Sequence, residues 1–493
     1  MSENEHIDVI IVGAGLSGIG AACQLSMACP NKTFVILEGR ESMGGTWDLF
    51  RYPGVRSDSD MYTLGYRFRP WRDAEAIADG PAILSYIKET AKEFRVDEKI
   101  RYGHRVTYAS WSSADARWTV ESKAARYTCN FLYLCTGYYD YENGYTPEWN
   151  GVEKFEGRMV HPQKWPEDLD YTGKRVVVIG SGATAVTLVP AMAERAEHVT
   201  MLQRSPTYIV SMPTEDAIAN FLRRHLPDRA AYALTRWKNV MRQMFFYVLS
   251  KKRPGMMKRL INKGIRTELG DDYDLKHFTP PYNPWDQRLC LVPDSNLFQV
   301  LRDGRASIVT DTIDTFTESG LKLNSGENLD ADIIITATGL NLKLMAGLQL
   351  IVDGEPVDLS KTMAYKGMMY SDVPNLASAF GYTNASWTLK CDLTAEYVCR
   401  LLQYMDKHNF AQCAARRSDP SVVAAPVLDF TSGYVMRALH TLPSQGSKMP
   451  WRLYQNYIKD LSMIRYGRVD DGTMEFIKIP GGKHRRAGAS RPS

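Results

Sequence analysis

The chain has 493 residues, a formal net charge of +4 and an apolar content of 44%, and 24% of its residues are charged. This length exceeds one hydrophobic core and predicts two or three domains, and the composition excludes a disordered chain. The weak net charge does not indicate nucleic-acid binding, which normally requires a concentrated basic surface. No apolar run approaches the roughly 20 residues of a membrane-spanning helix.

The eight cysteines form no Cys-x-x-Cys pair and have no spacing typical of metal ligands. We therefore expect reduced, mostly buried thiols, as in cytosolic proteins, and no metal site. The polar, acidic stretch Met1–His6 lacks the apolar core of a secretory signal. Together these features predict a cytoplasmic protein.

The first elements form a complete strand–helix–strand unit. The apolar residues 8–12 predict a buried parallel strand, and it runs into the loop Gly13-Ala-Gly15-Leu-Ser17-Gly18. Such a loop allows a tight turn, close approach of a phosphate and close helix packing. The second strand, residues 33–37, ends at Glu38, twenty positions after Gly18. A carboxylate at this position binds ribose hydroxyls, which favours FAD or NAD over a 2′-phosphorylated cofactor.

Residues 44–58 are predicted to form an ordered loop, because paired glycines, a Pro-Gly turn and several aromatics suit neither a helix nor a strand. Residues 105–109 and 131–137 have the character of strands, and the second ends in a glycine turn where the first domain should close. Residues 138–147, rich in Tyr, Gly and Asn, are expected to link two domains.

A second strand–loop–helix unit begins at Lys174. Its strand, residues 175–179, runs into the loop Gly180-Ser181-Gly182-Ala183-Thr184-Ala185, and the final Ala still permits close helix packing. The next strand, residues 199–203, ends in Arg204-Ser205, nineteen positions after Ala185. A cation and a hydroxyl at the position that binds the ribose suit a 2′-phosphate, so the second nucleotide is predicted to be NADPH. The alternative is a solvated arginine without a ligand.

Residues 215–270 contain thirteen cations and four acids, a net charge of +9. Apolar residues recur there at spacings of three and four, which predicts a helical insertion with a basic face, spanning residues 215–277. Two interpretations remain open. The basic face contacts an anionic membrane surface, or it is a solvated face of a helical subdomain on the substrate side.

The rest of the chain completes both domains. Residues 331–339 repeat the pattern of 131–137, and a strand over 374–380 precedes a helix capped by 384–386. The predicted fold is α/β, with two Rossmann-like dinucleotide-binding domains and the helical insertion. Residues 1–139 and 346–493 are assigned to a discontinuous FAD-binding domain and residues 146–345 to an NADPH-binding domain.

Two motifs resemble those of a known family. The segment 155–166, between the two glycine loops, has the pattern FxGxxxHxxxWP, with His161 and Trp165. It resembles the fingerprint of Baeyer–Villiger monooxygenases, whose flavin-containing and N-hydroxylating relatives usually carry Phe or Tyr in place of Trp165. The segment 44–58 matches a second motif of that family, GGxWxxxxYPGxxxD. Within the family, residues 41–47 and 283–293 are similar to the ethionamide-activating FAD-containing monooxygenases.

The resemblance implies roles for individual residues. Arg288 corresponds to the family's active-site arginine, Asp58 holds it toward the flavin, and His161 serves catalysis by fixing the path between the domains. Many members carry Lys where this chain has Gln287, so the choice of nucleotide depends more on Arg204. The further contacts implied are to FAD by Thr46, Trp47, Asp48 and Leu49, to adenine by the backbone of Val106, and to the flavin–nicotinamide region by Arg56, Ser57 and Asp58.

The implied activity is that of an NADPH-dependent flavin monooxygenase. Such an enzyme consumes NADPH and O₂, converts small ketones to esters or lactones through a C4a-peroxyflavin, and oxygenates thioethers and thioamides. One alternative is a flavin-containing monooxygenase that acts only on N or S atoms, which Trp165 and the second motif oppose. A flavin disulfide reductase would need a redox cysteine pair near the first helix, and this sequence has none. A non-catalytic flavin-binding protein would need neither Arg288 nor Arg204.

Overall fold

A larger sheet of mixed strand direction and a smaller parallel sheet organise the computed structural model, which describes residues 5–428 and 431–478. This arrangement agrees with the predicted α/β class. Within the described residues, the larger sheet consists of Glu5–Val12, Phe34–Leu37, Ile100–Arg101, Val106–Ser112, Arg117–Ser122, Arg126–Leu134, Gln349–Val352, Glu355–Pro356 and Leu376–Ser378. The smaller sheet consists of Arg158–Val160, Arg175–Ile179, His198–Gln203, Ala306–Thr310 and Ile333–Thr336.

The strand Glu5–Val12 lies in the middle of the larger sheet, parallel to Phe34–Leu37 on one side and to Arg126–Leu134 on the other. Its residues alternate between two cores, with Val9 and Ile11 in one and Ile10 and Val12 in the other. Burial on both faces explains why this strand is a continuous apolar run rather than an alternating one.

Helices cover these sheets and form the insertion. They are α1 Leu16–Ala28, α2 Thr46–Leu49, α3 Met61–Leu64, α4 Gly80–Glu93, α5 Ala183–Met192, α6 Ala217–His225, α7 Asp228–Lys252, α8 Pro254–Leu269, α9 Asn296–Arg302, α10 Trp387–His408, α11 Gly433–Ala438 and α12 Tyr457–Asp460. The long helices α1 and α10 pack against each other on one face of the larger sheet. Among the helices of the described residues, none combines the length and the apolar character needed to cross a bilayer.

Short strands form the remaining ladders. They pair Ile209–Met212 with Cys290–Pro293, Ile313–Thr317 with Gly320–Leu323 and Asn328–Asp330, Ala364–Tyr365 with Met369–Tyr370, Gln412–Ala415 with Met474–Ile477, and Ala424–Pro426 with Ser444–Gly446.

A two-stranded ribbon joins the two sheets. The chain leaves the larger sheet through Tyr139–Gly144 and returns through Leu340–Leu342, and these strands pair antiparallel to each other. Beyond them, the amide of Tyr145 donates to the carbonyl of Gly339 at 3.0 Å. The segment predicted as a linker, residues 138–147, is thus largely a strand. The predicted domain boundaries at 139, 146 and 345 stay predictions, and each lies on this ribbon or next to it.

The insertion is helical, as expected, but α7 does not turn its whole basic face to solvent. Arg236 is buried and forms an ion pair of 3.0 Å with Asp392 on α10. Asn239 and Gln243 donate to the two carboxylate oxygens of Asp60 at 2.9 and 3.0 Å. Burial raises the pKa of Asp392 to about 6, although the positive charge of Arg236 opposes this shift. Polar groups therefore attach α7 to the first domain, and the two interpretations of the remaining, exposed basic residues stay open.

Removal of one partner of the Arg236–Asp392 pair should strongly destabilise the fold. Asp392→Ala leaves the Arg236 guanidinium buried without a counter-charge, so we expect a loss of about 3–5 kcal/mol in the free energy of unfolding, measured by chemical denaturation. The control is Glu121→Ala, which breaks the exposed pair with Arg126 and should cost at most about 1 kcal/mol. The double variant Arg236→Met/Asp392→Leu should recover much of the loss. Equal effects of Asp392→Ala and Glu121→Ala would contradict the assignment.

Candidate functional site

A cavity of about 280 Å³ lies between the two glycine loops. Both halves of the chain contribute to its walls, which is where α/β proteins normally bind ligands. The polar and aromatic residues that line it include Ser17, Thr46, Trp47, Arg56, Ser57, Asp58, Tyr138, Tyr139, Tyr141, Thr184, Arg288 and Trp387.

The first glycine loop fits a phosphate group. Gly13 has φ +103°, and a Cβ at Gly18 would lie 1.8 Å from the carbonyl oxygen of Gly13, so neither position accepts a side chain. Gly15 caps α1 without any side-chain hydrogen bond, which leaves the first amides of a 13-residue helix for a ligand. Such amides, together with the helix dipole, bind phosphates. Ser17 lines the cavity and accepts a hydrogen bond of 2.9 Å from Trp387 Nε1.

Glu38 lies beside this loop, at the end of the second strand. One carboxylate oxygen accepts the amide of Ala14 at 2.7 Å and the other accepts the amide of Arg40 at 2.9 Å. Burial raises the pKa of Glu38 above its usual value, although both amides oppose this shift. Each oxygen keeps a lone pair for a hydroxyl group, as a ribose-binding carboxylate requires. The amide of His104, two residues before Val106, donates to the carbonyl of Glu38 at 2.8 Å, and the Val106 side chain lies in the core.

The turn after Gly44 packs directly on the first loop, since Gly44 donates to the carbonyl of Ala14 at 2.9 Å. Thr46 and Trp47 line the cavity, whereas Asp48 and Leu49 are not among its lining residues. Asp48 is buried instead against Arg40, at 2.9 Å, and the Ser42 hydroxyl. Its carboxylate needs these partners because an unpaired buried charge is costly. The Asp48 carboxylate is thus occupied by these partners, and the FAD contacts of residues 46–49 stay predictions.

The second glycine loop has the same form but is more open. Gly180 has φ +136°, and a Cβ there would lie 2.3 Å from the carbonyl oxygen of Ala337. Gly182 begins α5 without a side-chain cap, and a Cβ placed on it would meet no atom within 4 Å. Ala183 and Thr184 reach the cavity wall, whereas Ala185 is buried against the core.

Arg204 lies next to this second loop. The Ser181 hydroxyl donates to the carbonyl of Ser205 at 2.9 Å, which fixes the loop against the residue after Arg204. The Arg204 side chain is exposed, and no acidic side chain lies within ion-pair distance of it in residues 5–428 and 431–478. An exposed guanidinium beside uncapped helix amides fits a second phosphate. The geometry is thus compatible with the predicted 2′-phosphate contact.

Arg288 and Asp58 form a bidentate ion pair at the cavity wall. The Arg288 Nε lies 3.0 Å from Asp58 Oδ2, and its Nη2 donates to Asp58 Oδ1 at 3.2 Å. The carboxylate raises the pKa of the guanidinium further above its ordinary value, so Arg288 stays charged at all working pH values. The Arg288 side chain is 37% exposed and lines the cavity, so the pair holds a permanent cation there.

Arg56 and Ser57 lie next to this pair. The Nη2 of Arg56 is buried and, within the described residues, has no hydrogen-bond partner. Burial lowers the pKa of this guanidinium below its ordinary value. An unpartnered buried donor costs free energy unless a ligand accepts its hydrogen bond, so Arg56 fits a polar group bound in the cavity. The Ser57 hydroxyl instead donates to the carbonyl of Ser59 at 2.8 Å.

Aromatic residues also line the cavity, and no motif in the sequence indicated most of them. Tyr138 stacks on Trp387, with ring centroids 4.9 Å apart, and its hydroxyl lies 2.7 Å from that of Tyr139. Tyr434, on α11, is close enough for its hydroxyl pKa to be affected by Tyr138 and Arg288. Trp387 is the first residue of α10, so the predicted helix start could have suggested it. The others come from the crossing strand and from α11.

His161 lies outside the cavity lining, at the ribbon between the sheets. Its Nδ1 accepts the amide of Gln163 at 3.2 Å, so its Nε2 carries the proton and donates to the carbonyl of Gly339 at 3.2 Å. Its ring also packs on Gly144, where a Cβ would lie 2.0 Å from His161 Cε1. The residue thus contacts both crossing segments. The role predicted for His161, which is to fix the path between the two domains, stays a prediction.

The described residues contain no group of side chains suited to hold a metal ion. All eight cysteines are free and buried, as expected. No redox disulfide is therefore present beside the first helix.

The comparisons with known proteins agree with this geometry. Residues 10–223 match the family model described as pyridine nucleotide-disulphide oxidoreductase. The chain is 57% identical over 482 residues to the FAD-containing monooxygenase EthA of Mycobacterium tuberculosis, covering 97% of this chain and 99% of that protein. It is 52% identical over 484 residues to the putative FAD-containing monooxygenase MymA of the same organism, covering 96% and 98%.

Solved structures show the same fold at low identity. An oxidized steroid monooxygenase bound to NADP superimposes with a TM-score of 0.76 at 21% identity, covering 96% of this chain and all of that one. An open structure of cyclohexanone monooxygenase gives a TM-score of 0.76 at 18% identity, with the same coverage.

The contacts of His161 predict a pH-dependent effect on stability. Burial lowers its pKa below the ordinary value near 6.5, so the unfolded chain binds the proton more readily than the folded one. The stability that the neutral ring provides should be complete above pH 6.5 and decline as the pH falls below it. His161→Gln retains a donor for Gly339 and does not titrate. Its melting temperature should therefore fall less than that of the wild type between pH 7.5 and 5.5, and identical falls would refute this account.

Proposed function

Because the chain belongs to the family of FAD-containing monooxygenases that includes EthA and MymA, we propose that it is a Baeyer–Villiger monooxygenase. It consumes NADPH and O₂ and converts ketones to esters or lactones, and it oxygenates thioethers and thioamides. The observation that carries this proposal is the Arg288–Asp58 pair, a permanently charged donor fixed at the wall of the cavity between two nucleotide loops.

The chain's own residues fit both cofactors. The uncapped start of α1 and the carboxylate of Glu38 would hold the pyrophosphate and ribose of FAD, with Thr46 and Trp47 along the flavin. The uncapped start of α5 and the exposed guanidinium of Arg204 would hold NADPH. Bound FAD, reduced by NADPH, supplies the activation of O₂.

Arg288 supports the oxygen insertion through its charge. When a ketone carbonyl is attacked, negative charge develops on its oxygen, and a preorganised cation lowers the free energy of that state. Within the described residues, Asp58 is the one acceptor that engages this guanidinium, through Nε and Nη2, which leaves Nη1 for a ligand. The rings of Tyr138, Tyr139 and Trp387 line the same cavity and would limit the access of water to bound reactants, which strengthens such an electrostatic effect.

Replacement of Arg288 should separate cofactor reduction from product formation. Arg288→Ala should still bind FAD and NADPH, while ester formation from a simple ketone should fall by roughly 10²-fold or more. Most of the NADPH consumed should then appear as hydrogen peroxide. The measurements are flavin absorbance, anaerobic reduction of the flavin, and product yield per NADPH. The matched control is Arg195→Ala, which removes an exposed arginine paired with Asp170 and should change none of these.

Two outcomes would count against the proposal. A near-normal ester yield from Arg288→Ala would remove the role given to Arg288 and Asp58. A wild-type enzyme that oxygenates sulfides and amines but forms no ester from linear, cyclic or aryl ketones would establish the alternative, a monooxygenase acting only on N or S.

The choice of nucleotide should depend on Arg204. Arg204→Ala removes a charge-assisted contact to the 2′-phosphate, so the binding of NADPH should weaken by about 1.5–3 kcal/mol. The use of NADH, which lacks that phosphate, should change little. The measurement is the KM for NADPH and for NADH in the variant and in the wild type. An equal rise of both KM values would show that Arg204 supports the fold and does not bind the 2′-phosphate.

A further inference from the structure

The insertion carries its apolar side chains on the outside. On α7, Leu234, Trp237, Met241, Phe245 and Val248 are between 40% and 62% exposed. They recur at spacings of three and four, so they form one stripe of about 20 Å along the helix. The opposite face of α7 is buried against the first domain, with Tyr232 and Val240 in its core and Arg236, Asn239 and Gln243 bonded to it. The exposed apolar stripe is thus a second apolar face, which the core of the protein does not cover.

The neighbouring helices extend this exposed surface. Ile218 and Phe221 on α6 are 56% and 59% exposed, and Met256 and Leu260 on α8 are 41% and 55% exposed. Both helices pack against α7. Of the 18 exposed large apolar side chains in the described residues, 11 lie between Ile218 and Leu260. Single exposed apolar residues are ordinary on any protein, whereas this concentration in one segment indicates a binding surface.

Unpaired cations accompany the apolar side chains. Within the part of the chain that the structure describes, six exposed cations of the insertion have no acidic partner, namely Arg224, Arg229, Lys252, Arg253, Arg259 and Lys263. Of the few acids nearby, Asp216 is already paired with Lys238. The surface therefore combines apolar side chains with a strong excess of positive charge.

We propose that α6, α7 and α8 form a docking surface for an anionic lipid bilayer. The apolar stripe lies at the boundary of the acyl chains, and the cations contact lipid phosphates and carboxylates. A helix with exposed apolar and basic side chains that is too polar to span a membrane suits this interfacial position. A second copy of the chain is a poorer occupant, because a symmetric contact would oppose two segments that each carry a net charge of +9.

The test is co-sedimentation of the FAD-loaded enzyme with vesicles. Vesicles of phosphatidylcholine with 30% phosphatidylglycerol should bind the wild type, pure phosphatidylcholine should bind it far less, and added salt should weaken the binding. Lys252→Gln/Lys263→Gln should lower the partition coefficient by about fivefold for each charge removed. Met241→Ser/Phe245→Ser should lower it by about tenfold or more.

Each matched control removes the same number of cations or of exposed apolar side chains, but from a part of the protein outside the insertion. Arg117→Gln/Lys123→Gln removes two exposed cations at the two ends of the strand Arg117–Ser122. Met27→Ser/Val423→Ser removes two exposed apolar side chains. Neither control should affect binding. NADPH oxidation with a water-soluble substrate should be the same in all variants, which confirms folding.

Three results would overturn the proposal. The first is that the wild type does not bind the anionic vesicles even at low ionic strength, and the second is that the variants of α7 and α8 bind them as well as the wild type does. The third is that the protein forms a stable dimer without lipid, which Met241→Ser/Phe245→Ser dissociates. The last result would assign the surface to a second copy of the chain. None of these measurements depends on which substrate the enzyme oxygenates.

Discussion

The bidentate contact between Arg288 and Asp58 is the constraint on which the site depends. The two residues lie 230 positions apart in the chain, and they join the motif loop beside the first nucleotide site to the loop after the helical insertion. An arginine beside a carboxylate in this geometry is fixed in direction as well as in charge. The rest of the cavity follows from this contact, because it keeps the two nucleotide loops facing one space.

Much of this arrangement could be predicted from the sequence, because local rules determine it. A glycine loop must follow a buried strand, and Glu38 and Arg204 each end the next strand at a fixed spacing. No such rule predicts the aromatic cluster near Arg288, which comes from separate parts of the chain and consists of Tyr138, Tyr139, Tyr434 and Trp387. Asp48 shows what a motif leaves out, because the pairing of its carboxylate with Arg40 and Ser42 depends on the folded loop and is not visible in the pattern.

The orientation of α7 shows a further limit of pattern analysis. A spacing of three and four identifies a helix, and the usual assumption turns its apolar stripe toward the core. Here Asp60 and Asp392 lie in the first domain where the helix packs, and their carboxylates require donors. The polar stripe of α7 meets that need, so the apolar stripe faces outward. Only the tertiary partner of a helix decides which face is buried, and this partner is not visible in the local sequence.

The ribbon between the sheets has a consequence for the history of the chain. The second domain leaves and rejoins the first through two adjacent strands, and the amide of Tyr145 bonds to the carbonyl of Gly339 at 3.0 Å. A segment whose two ends touch can be inserted into a host fold or removed from it without separating the host's own strands. The larger sheet recruits strands from both sides of this junction, so it is already a complete scaffold there. The chain thus enters and leaves its second sheet at one place, and beyond that junction the contacts of α7 and the Arg288–Asp58 pair tie the two parts together.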